Sequence, residues 1–411
     1  MWVACRRRAR ILLAAVALVG VVAVVPALAG VSEVDRSTSA SGPGDKSKPT
    51  GSGDKSQPSG SSTKSKPSGS GDKSKPAGSG GKSKPGGSSS TSTSTAPKYG
   101  LHQDLTYDGY AWRRAQEIDA AASVHAQISR NSFLWSRIEP TPGTYDWSIP
   151  DSVVDGLRAR GIETLFVVVG SPSWINGGPP GTADSQYYVP TDPQAFANWV
   201  KAYTGFIKEA VKHFKGRVSK WEIWNEENEH FTWKPQPSIS QYAQFFVAMR
   251  GAIKSVDPAA EVAIGGLTDF CCDLDIPGST FVKGLIAQGV QFENVAIHPY
   301  PTAGHPPDVH WQWHANFDDI AAYHDLLVGA RRNVPIWVTE WGWSSARVGD
   351  DLQAEYLARS LDMLRTMYPY VTVATYFVAV DSEPEYFEGL FHGDLSPKPA
   401  AAAFTNFMAT R

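Results

Sequence analysis

Cysteine is scarce in this protein, with three among 411 residues. Cys5 precedes an apolar N-terminal run, so a chain cleaved after that run keeps only the adjacent pair Cys271 and Cys272. A framework of disulfides is therefore excluded, and an ordinary hydrophobic core has to hold the fold. The pair is either two thiols in a loop or a strained disulfide between neighbours. No further Cys or His lies near it at metal-ligand spacing, and we expect neither a metal nor a cofactor.

Positive charge is also scarce in the C-terminal part of the chain. Of the 38 lysines and arginines, 14 lie in the first 97 residues, against 5 of the 41 acidic residues. Residues 98–411 therefore carry 24 basic and 36 acidic side chains, a net charge of −12. Nucleic-acid binding needs a basic surface. The sequence thus predicts that nucleic acid is not a partner.

The N-terminus has the pattern of an export signal. Four arginines within residues 1–10 precede a run of small and aliphatic residues, Ile11 to Ala29, that ends in Ala-Leu-Ala. This is typical of a secretory signal with a small-residue cleavage site. The run is also close to the length of a membrane-spanning helix, so an uncleaved anchor is the alternative, although Pro26 favours cleavage. We predict a signal peptide or signal anchor over residues 1–29, and a protein that is secreted or held at the cell surface.

Residues 30–97 contain no aromatic side chain. All 17 phenylalanines, all 15 tyrosines and every tryptophan except Trp2 lie in residues 98–411. Within residues 45–89 a nine-residue motif repeats, as in DKSKPTGSG and DKSKPAGSG. Such a segment cannot offset its ordering entropy and is predicted to be a disordered linker. It is a passive spacer or, alternatively, a lysine-rich tether to anionic cell-wall polymers or membrane headgroups.

Residues 98–411 alternate short β-branched runs with longer amphipathic stretches, the pattern of βα units around a parallel sheet. Helices are predicted at Pro193 to Phe214, Ser240 to Ser255 and Leu352 to Met367. Eight such units in about 310 residues fit an α/β fold of the (β/α)₈ TIM barrel type. The eight predicted strands are Tyr99 to Leu105, Ala126 to Leu134, Thr164 to Val169, Lys220 to Asn225, Glu261 to Gly265, Asn294 to His298, Pro335 to Thr339 and Val371 to Val378.

Active sites of such barrels lie at the C-terminal ends of the strands. A doubly wound sheet also explains the alternation, but not polar and aromatic groups distributed around eight strands. The distribution predicts a cleft for a hydroxylated ligand. These groups occupy six strand ends: Arg130; Ser171 to Trp174; Asn225 and Glu226; His298 and Tyr300; Glu340, Trp341 and Trp343; Tyr376 and Phe377.

Two glutamates, Glu226 and Glu340, end the fourth and seventh predicted strands, where side chains can converge across a barrel mouth. Cleaving a glycosidic bond with retention needs one carboxyl group to protonate the leaving oxygen and a second, about 5–5.5 Å away, to attack the anomeric carbon. The pair therefore predicts glycoside hydrolysis. Glu222 is expected lower in the barrel, paired with a basic group, and Glu227 and Glu229 are interpreted as plain loop acids.

Two sequence strings carry a family resemblance. WEIWNEEN and WVTEWGWSS resemble the acid/base and nucleophile motifs of clan A glycoside hydrolases, most of all glycoside hydrolase family 39, with its β-xylosidases and exopolysaccharide hydrolases. The resemblance implies hydrolysis of O-glycosidic bonds in a polysaccharide or oligosaccharide by double displacement. The strings and further matches lie at 221–228, 337–345, 132–147, 171–174, 295–301 and 389–404.

The resemblance also implies roles for single residues. Glu226 is the expected acid/base and Glu340 the expected nucleophile. Asn225 is expected to hold the 2-hydroxyl of the sugar, and Arg130 and Tyr300 to orient the nucleophile.

Four further residues are predicted to bind substrate. The resemblance places His298 near the acid, and gives Trp174 and Tyr376 as surfaces for sugar rings. Trp341 lies next to the predicted nucleophile and is predicted to line the cleft, with packing as the alternative. Two positions depart from the family: Glu227 stands where a proline is usual, and Tyr376 where many relatives have a tryptophan at the cleft floor.

Two other functions use the same residues. One is a carbohydrate-binding barrel without catalytic activity, which the presence of both glutamates with Asn225, Arg130 and Tyr300 disfavours. The other is a transglycosidase that remodels cell-wall polymers. We expect a monomeric enzyme that acts on a polysaccharide or oligosaccharide, and the sequence leaves the sugar and the choice between exo and endo action open.

Overall fold

A computed structural model describes residues 96–107, 111–182, 184–269, 275–312, 314–382, 384 and 386–410. The predicted signal, the linker as far as residue 95 and the pair Cys271 and Cys272 lie outside these residues. Among the described helices, none is both long and apolar enough to cross a membrane.

Eight parallel strands close into a barrel in chain order, and the first pairs with the last through Gly100 opposite Thr375. The predicted (β/α)₈ fold is confirmed. The strands are β1 Lys98–His102, β2 Ile128–Leu134, β3 Glu163–Val169, β4 Lys220–Asn225, β5 Glu261–Leu267, β6 Asn294–Ile297, β7 Ile336–Val338 and β8 Val371–Phe377.

Helices surround the barrel, and local capping explains where the long ones begin. The Asp192 side chain accepts a hydrogen bond from the Ala195 amide at the start of the helix that opens with Pro193, an arrangement that favours helix initiation. The helices are α1 Arg114–Ser123, α2 Trp135–Ile138, α3 Ser148–Arg158, α4 Ser173–Asn176, α5 Pro193–Phe214, α6 Ile239–Val256, α7 Gly278–Ala287, α8 Asp319–Gly329, α9 Ser345–Val348, α10 Asp350–Thr366 and α11 Pro399–Ala409.

The apolar core fills the layer between the strands and the helices. Trp199 of α5 and Trp221 of β4 are fully buried there. The barrel interior holds a cluster of buried charged and polar residues, with Arg130 and Glu222 at its centre. A buried charge is stable only when it is paired, so the barrel interior demands an ordered network of hydrogen bonds.

Candidate active site

Arg130 on β2 is the centre of this network. Its Nε and Nη2 donate to the two oxygens of Glu222 at 3.1 and 2.8 Å, so the predicted pairing of Glu222 with a basic group is confirmed. Nη1 donates to Glu340 Oε1 at 2.5 Å and contacts His102 Nδ1 at 2.7 Å, and Nη2 also donates to Asn225 Oδ1 at 2.7 Å. A guanidinium has five N–H donors, and these contacts use all of them.

Glu340 follows β7 and is held through both oxygens. Oε1 accepts from Arg130, and Oε2 accepts from the Tyr300 hydroxyl at 2.9 Å. Ring nitrogens of His298 and His102 lie 3.7 and 3.9 Å from Oε1. Burial works against ionisation, but the neighbouring His298, Arg130 and His102 and the Tyr300 hydrogen bond outweigh it and lower the pKa of Glu340 to about 2. Glu340 is therefore a carboxylate at any ordinary pH.

Glu226, just beyond the end of β4, is held more loosely. Its Oε1 lies 3.0 Å from His298 Nδ1, while Oε2 is buried without a hydrogen-bond partner among the described residues. The other ring nitrogen of His298 lies 3.1 Å from the Thr339 hydroxyl, which fixes the ring. One oxygen of Glu226 is thus positioned, and the other is left for a proton or a ligand.

An irregular backbone at the end of β4 directs these side chains. Trp224 and Glu226 have positive φ angles of 75° and 52°, a conformation that costs a non-glycine residue on the order of 1–3 kcal/mol. Two hydrogen bonds secure it: Trp224 Nε1 donates to the Thr232 carbonyl at 2.8 Å, and the Thr232 hydroxyl donates to the Glu226 carbonyl at 2.5 Å. Trp224 consequently packs against Trp199 in the helical layer, and Asn225 points to Arg130.

The two predicted catalytic glutamates meet at the barrel mouth. A carboxylate oxygen of Glu226, a carboxylate oxygen of Glu340 and a ring nitrogen of His298 all lie within 4.8 Å of one another. These three groups form a possible metal-ligand set, but the Arg130 guanidinium already supplies a positive charge beside Glu340. Arg130 would repel a metal cation at this position, which agrees with the expectation that no metal binds. That expectation stays a prediction.

Two glycines of β5 make room for the site. A Cβ atom on Gly266 would lie 1.9 Å from His298 Nε2, and one on Gly265 would lie 2.0 Å from Glu227 Oε2. No side chain fits at such distances. Gly265 and Gly266 therefore allow His298 and Glu227 to occupy their places, a requirement that the sequence alone did not reveal.

The interpretation of Glu227 and Glu229 as plain loop acids is wrong, because both side chains are buried. Glu227 turns under the loop toward Gly265 and the Tyr242 hydroxyl, and burial raises its pKa to about 8. Glu229 accepts a hydrogen bond from the Thr268 hydroxyl at 2.5 Å. The positive φ angles at Trp224 and Glu226 break the alternation of the strand and turn these acids inward.

Trp341 and Tyr376 do not lie where substrate contact was predicted. Trp341 is fully buried, and its Nε1 donates to the Ser360 hydroxyl of α10 at 3.0 Å. Tyr376 is equally buried, with its ring edge-on to Trp341 at 5.4 Å. Both point outward to the helices, since successive strand residues face opposite sides of the sheet. Trp341 and Tyr376 therefore pack between the barrel and the helices, which for Trp341 was the alternative to lining the cleft.

The neighbouring residue of β8, Phe377, faces the site instead. Its ring lies 5.1 Å from that of His102 and 6.1 Å from that of Tyr300. His102 is itself part of the network: Arg130 can only donate to Nδ1, so Nε2 carries the proton and donates to Asp104 at 2.9 Å. Phe377 was named from sequence only as one of the strand-end groups, without a role, and His102 was not predicted to bind substrate. Only the face of its strand shows that each of them lies at the site.

Trp174 follows β3 on α4 and is 38% exposed. Its Nε1 donates to the Glu139 carbonyl at 3.3 Å, and its ring lies edge-on to Trp135 at 5.7 Å. One edge of the indole is thus anchored while part of its surface remains open. This is compatible with the predicted contact to a sugar ring, which stays a prediction.

Comparison with known proteins shows that parts of this chain are similar to glycosidases. The family model for β-galactosidases of glycoside hydrolase family 42 matches residues 110–234. A β-galactosidase, LacZ, of Heyndrickxia coagulans is 24% identical over 140 residues, 32% of this chain and 21% of that protein. A β-1,4-xylanase of Dictyoglomus thermophilum is 32% identical over 101 residues, 23% of this chain and 24% of the xylanase. The chain thus spans less than a quarter of the length of these relatives.

A solved structure supports the fold over most of the barrel. A family 39 glycoside hydrolase from the gut symbiont Bacteroides cellulosilyticus WH2 superimposes with a TM-score of 0.60 at 22% identity, covering 76% of this chain and 63% of that one. Together with the sequence relatives, this confirms the resemblance to clan A glycoside hydrolases of the family 39 type. At this identity the structure shows the fold, and the activity is a proposal.

Proposed function

We propose that this protein is a retaining glycoside hydrolase in which Glu340 is the nucleophile and Glu226 the acid/base. The observation that carries the proposal is the pair itself: two carboxyl groups with oxygens within 4.8 Å, one fixed in the ionised form and the other with a buried oxygen that has no hydrogen-bond partner among the described residues. Retaining glycosidases use carboxyl groups about 5–5.5 Å apart, whereas inverting enzymes need about 6.5–9.5 Å for an intervening water.

In the first step a Glu340 oxygen attacks the anomeric carbon, while the proton of Glu226 passes to the glycosidic oxygen as the bond to the leaving sugar breaks. Arg130 and Tyr300 position Glu340 for attack through their hydrogen bonds. Burial and the charge of Glu340 raise the pKa of Tyr300 well above its usual value, so its hydroxyl keeps its proton and remains a donor.

In the second step Glu226, now a carboxylate, takes a proton from water, and the resulting oxygen attacks the anomeric carbon from the opposite side. The bond to Glu340 breaks, and its negative charge returns beside Arg130. His298, 3.0 Å from Glu226, holds the acid/base in one orientation through both proton transfers. Two inversions at the same carbon leave its configuration unchanged.

The proposed substrate is a β-linked polysaccharide or oligosaccharide containing xylose or galactose. The names of the similar proteins, β-galactosidase and β-1,4-xylanase, support these two sugars. Because the Arg130 guanidinium is occupied by Glu222, Glu340 and Asn225, the selection of the sugar is left to the loops at the barrel mouth. We further propose a monomer, which size-exclusion chromatography with light scattering would test.

The test separates the two glutamates by the leaving group. Glu340→Ala should abolish turnover of every β-glycoside. Glu226→Ala should lower turnover of a natural oligosaccharide about 10²- to 10⁴-fold, yet act much less on a nitrophenyl glycoside, whose leaving group needs no proton. Glu355→Gln, on the exposed face of α10, is the control. NMR of the first product should show the retained anomer, and an inverted anomer or unaffected Glu340→Ala turnover would refute the proposal.

The two alternative functions give different results in the same assays. A transglycosidase would form products longer than its substrate at high substrate concentration. A binding protein would retain a glycan without turning it over. Neither has a specific structural observation in its favour. The intact carboxylate pair disfavours a binding protein, and a hydrolase and a transglycosidase would share it.

We also propose that residues 1–29 export the protein and that residues 30–97 tether the barrel at the cell surface. The arginines followed by an apolar run, and then the lysine repeats, support this. Cell fractionation and sequencing of the mature N-terminus would test it, and a cytoplasmic protein with an intact N-terminus would refute it.

A further inference from the structure

Three tryptophans of the described residues expose a large part of the side chain. They are Trp112 at 71%, Trp311 at 45% and Trp174 at 38%, and they follow β1, β6 and β3 respectively. All three therefore lie in segments that connect a strand to the next long helix, at the C-terminal end of the barrel, where the carboxylate pair lies. Exposing an indole forgoes stabilisation by burial, so a fixed and exposed ring calls for an explanation.

Trp311 is fixed from several sides. Its ring stacks on the His305 ring with centroids 4.9 Å apart and planes 13° from parallel, and the His314 ring approaches edge-on at 5.8 Å. The Trp311 amide donates to Asn316 Oδ1 at 2.8 Å, and that oxygen also lies 2.9 Å from His305 Nε2. One face of the indole is therefore packed, and its orientation is set before any ligand arrives.

The stack beneath Trp311 is itself buried. His305 is 3% exposed, and its carbonyl accepts a hydrogen bond from Trp343 Nε1 at 2.9 Å. Trp343 lies three residues beyond Glu340. A binding surface built in this way loses little conformational entropy when it engages a ligand.

The loop that carries Trp311 begins in the catalytic site. Its first residues are His298 and Tyr300, which contact Glu226 and Glu340. Arg347, on α9 after β7, donates to the Thr302 carbonyl at 2.9 Å and ties the loop down. In the closed barrel β3 and β6 are separated by two strands on one side and four on the other. Trp174 and Trp311 thus border the mouth from different sides.

We propose that the exposed face of Trp311 stacks on a sugar ring of the substrate, outside the unit held by Glu226 and Glu340, so that the protein binds a glycan chain rather than a single glycoside. This rests on the proposed function. The C–H groups on the face of a pyranose pack on an aromatic face, and aromatic platforms with nearby polar groups are suited to such ligands. Asp308 and Asp318 lie on the same loop, where they pair with Arg359 and His310, and a carboxylate has further lone pairs that can accept hydrogen bonds from hydroxyl groups.

The test compares Trp311→Ala with Trp311→Phe on β-1,4-xylo-oligosaccharides of two to six units. We expect kcat/KM of Trp311→Ala to fall about 2- to 10-fold on the longest oligomers and to be unchanged on the disaccharide, with Trp311→Phe recovering part of the loss. Trp112→Ala is the matched control, since that ring is 71% exposed and no aromatic ring of the described residues stacks on it. A loss that is equal at all lengths, or one shared by Trp112→Ala, would overturn the inference.

A second arm measures binding without turnover. The Glu340→Ala protein, with and without Trp311→Ala, is run in native gels containing xylan, galactan or glucomannan. Retardation by one polymer that disappears with Trp311→Ala supports the platform even when the hydrolysis assay fails, so the two proposals fail separately. A Glu340→Ala protein whose mobility none of these polymers changes overturns the platform.

Discussion

Glu340 and Glu227 are both buried at the same end of the barrel, yet their pKa values move in opposite directions. Glu340 has a pKa of about 2 because Arg130, His298 and Tyr300 contact it, and these partners outweigh burial. Glu227 has a pKa of about 8 because burial dominates, and its neighbours are the Tyr242 hydroxyl and backbone amides. Partners rather than depth decide the charge of a buried carboxyl group.

The contrast assigns different work to the two acids. The ionised Glu340 is suited to attack an electrophilic carbon. Because its pKa is raised to about 8, Glu227 adds no full negative charge next to Glu226 at neutral pH. It acts instead as a neutral filler of the space that Gly265 leaves.

Removing the partner of Glu340 should have the largest effect. Arg130→Met leaves Glu222 and Glu340 buried without their cation, and we expect a loss of about 3–5 kcal/mol in the free energy of unfolding together with loss of turnover. Urea unfolding and kcat/KM measure these. Arg160→Met, which breaks a solvent-exposed pair with Asp119 and a hydrogen bond to the Gly156 carbonyl, should cost less than about 1 kcal/mol. Equal losses in the two variants would contradict the role of Arg130.

The stability that depends on Glu227 should decrease as the pH rises. Because the folded pKa of Glu227 is raised from 4.5 to about 8, the stability it allows is fully present below pH 4.5 and is lost as the pH rises to about 8. Wild type should lose up to about 1.4 kcal/mol per pH unit relative to Glu227→Gln across this window. Parallel stability curves for the two proteins, measured by urea unfolding, would show that Glu227 ionises normally.

The same reasoning predicts the reverse for Glu340, whose pKa is lowered from 4.5 to about 2. Its contribution is present above pH 4.5 and is lost as the pH falls toward 2. The difference in the free energy of unfolding between wild type and Glu340→Gln should therefore become smaller as the pH falls from 4.5 toward 2. The difference between wild type and Glu227→Gln should stay constant over this range, and urea unfolding measures both.

Filling the space beside Glu227 should cost less. Gly265→Ala places a methyl group 2.0 Å from Glu227 Oε2 and 2.9 Å from the Trp224 carbonyl, and overpacking of this kind costs about 1–3 kcal/mol. Adding Glu227→Ala should recover part of the loss. Gly205→Ala, in the open on α5, should be neutral or slightly stabilising. Thermal unfolding measures the stability of each variant. If the effects of Gly265→Ala and Glu227→Ala simply add in the double variant, the added methyl group does not contact Glu227.

Removing a single donor should have the smallest effect. Tyr300→Phe deletes the hydrogen bond to Glu340 Oε2 and leaves Arg130 in place. We expect kcat/KM to fall about 10-fold, the equivalent of one such bond, with little change in unfolding. A fall as large as that of Arg130→Met would mean that Tyr300 does more than orient Glu340.

The sequence predicted what regular periodicity controls. The strand bounds of β4 and the helix Pro193–Phe214 agree with the prediction to the residue, because alternation and a proline with an aspartate cap are local signals. Strand positions and the family resemblance identified Arg130, within β2, and residues at or just beyond the ends of β4, β6 and β7. Arg130, Asn225, Glu226, His298, Tyr300 and Glu340 all come together.

What failed lies where that periodicity ends. On β8 the choice between Tyr376 and Phe377 depends on which face of the strand points inward, and composition does not report it. After β4 the positive φ angles of Trp224 and Glu226 change the directions in which the following side chains point. Glu227 and Glu229 are therefore buried rather than exposed in a loop. Such backbone conformations are imposed by tertiary contacts, here those of Thr232, and a local pattern does not contain them.

The saturation of Arg130 has a consequence for how the protein can change. Because all five N–H donors of the guanidinium are already used, Arg130 cannot donate a further hydrogen bond to a sugar. It therefore fixes the reaction centre and does not select the substrate. Variation that alters preference has to occur in the loops around the mouth, while variation inside the barrel risks collapse. Chemistry and selectivity are therefore inherited by separate parts of the chain, and one can diversify while the other stays constant.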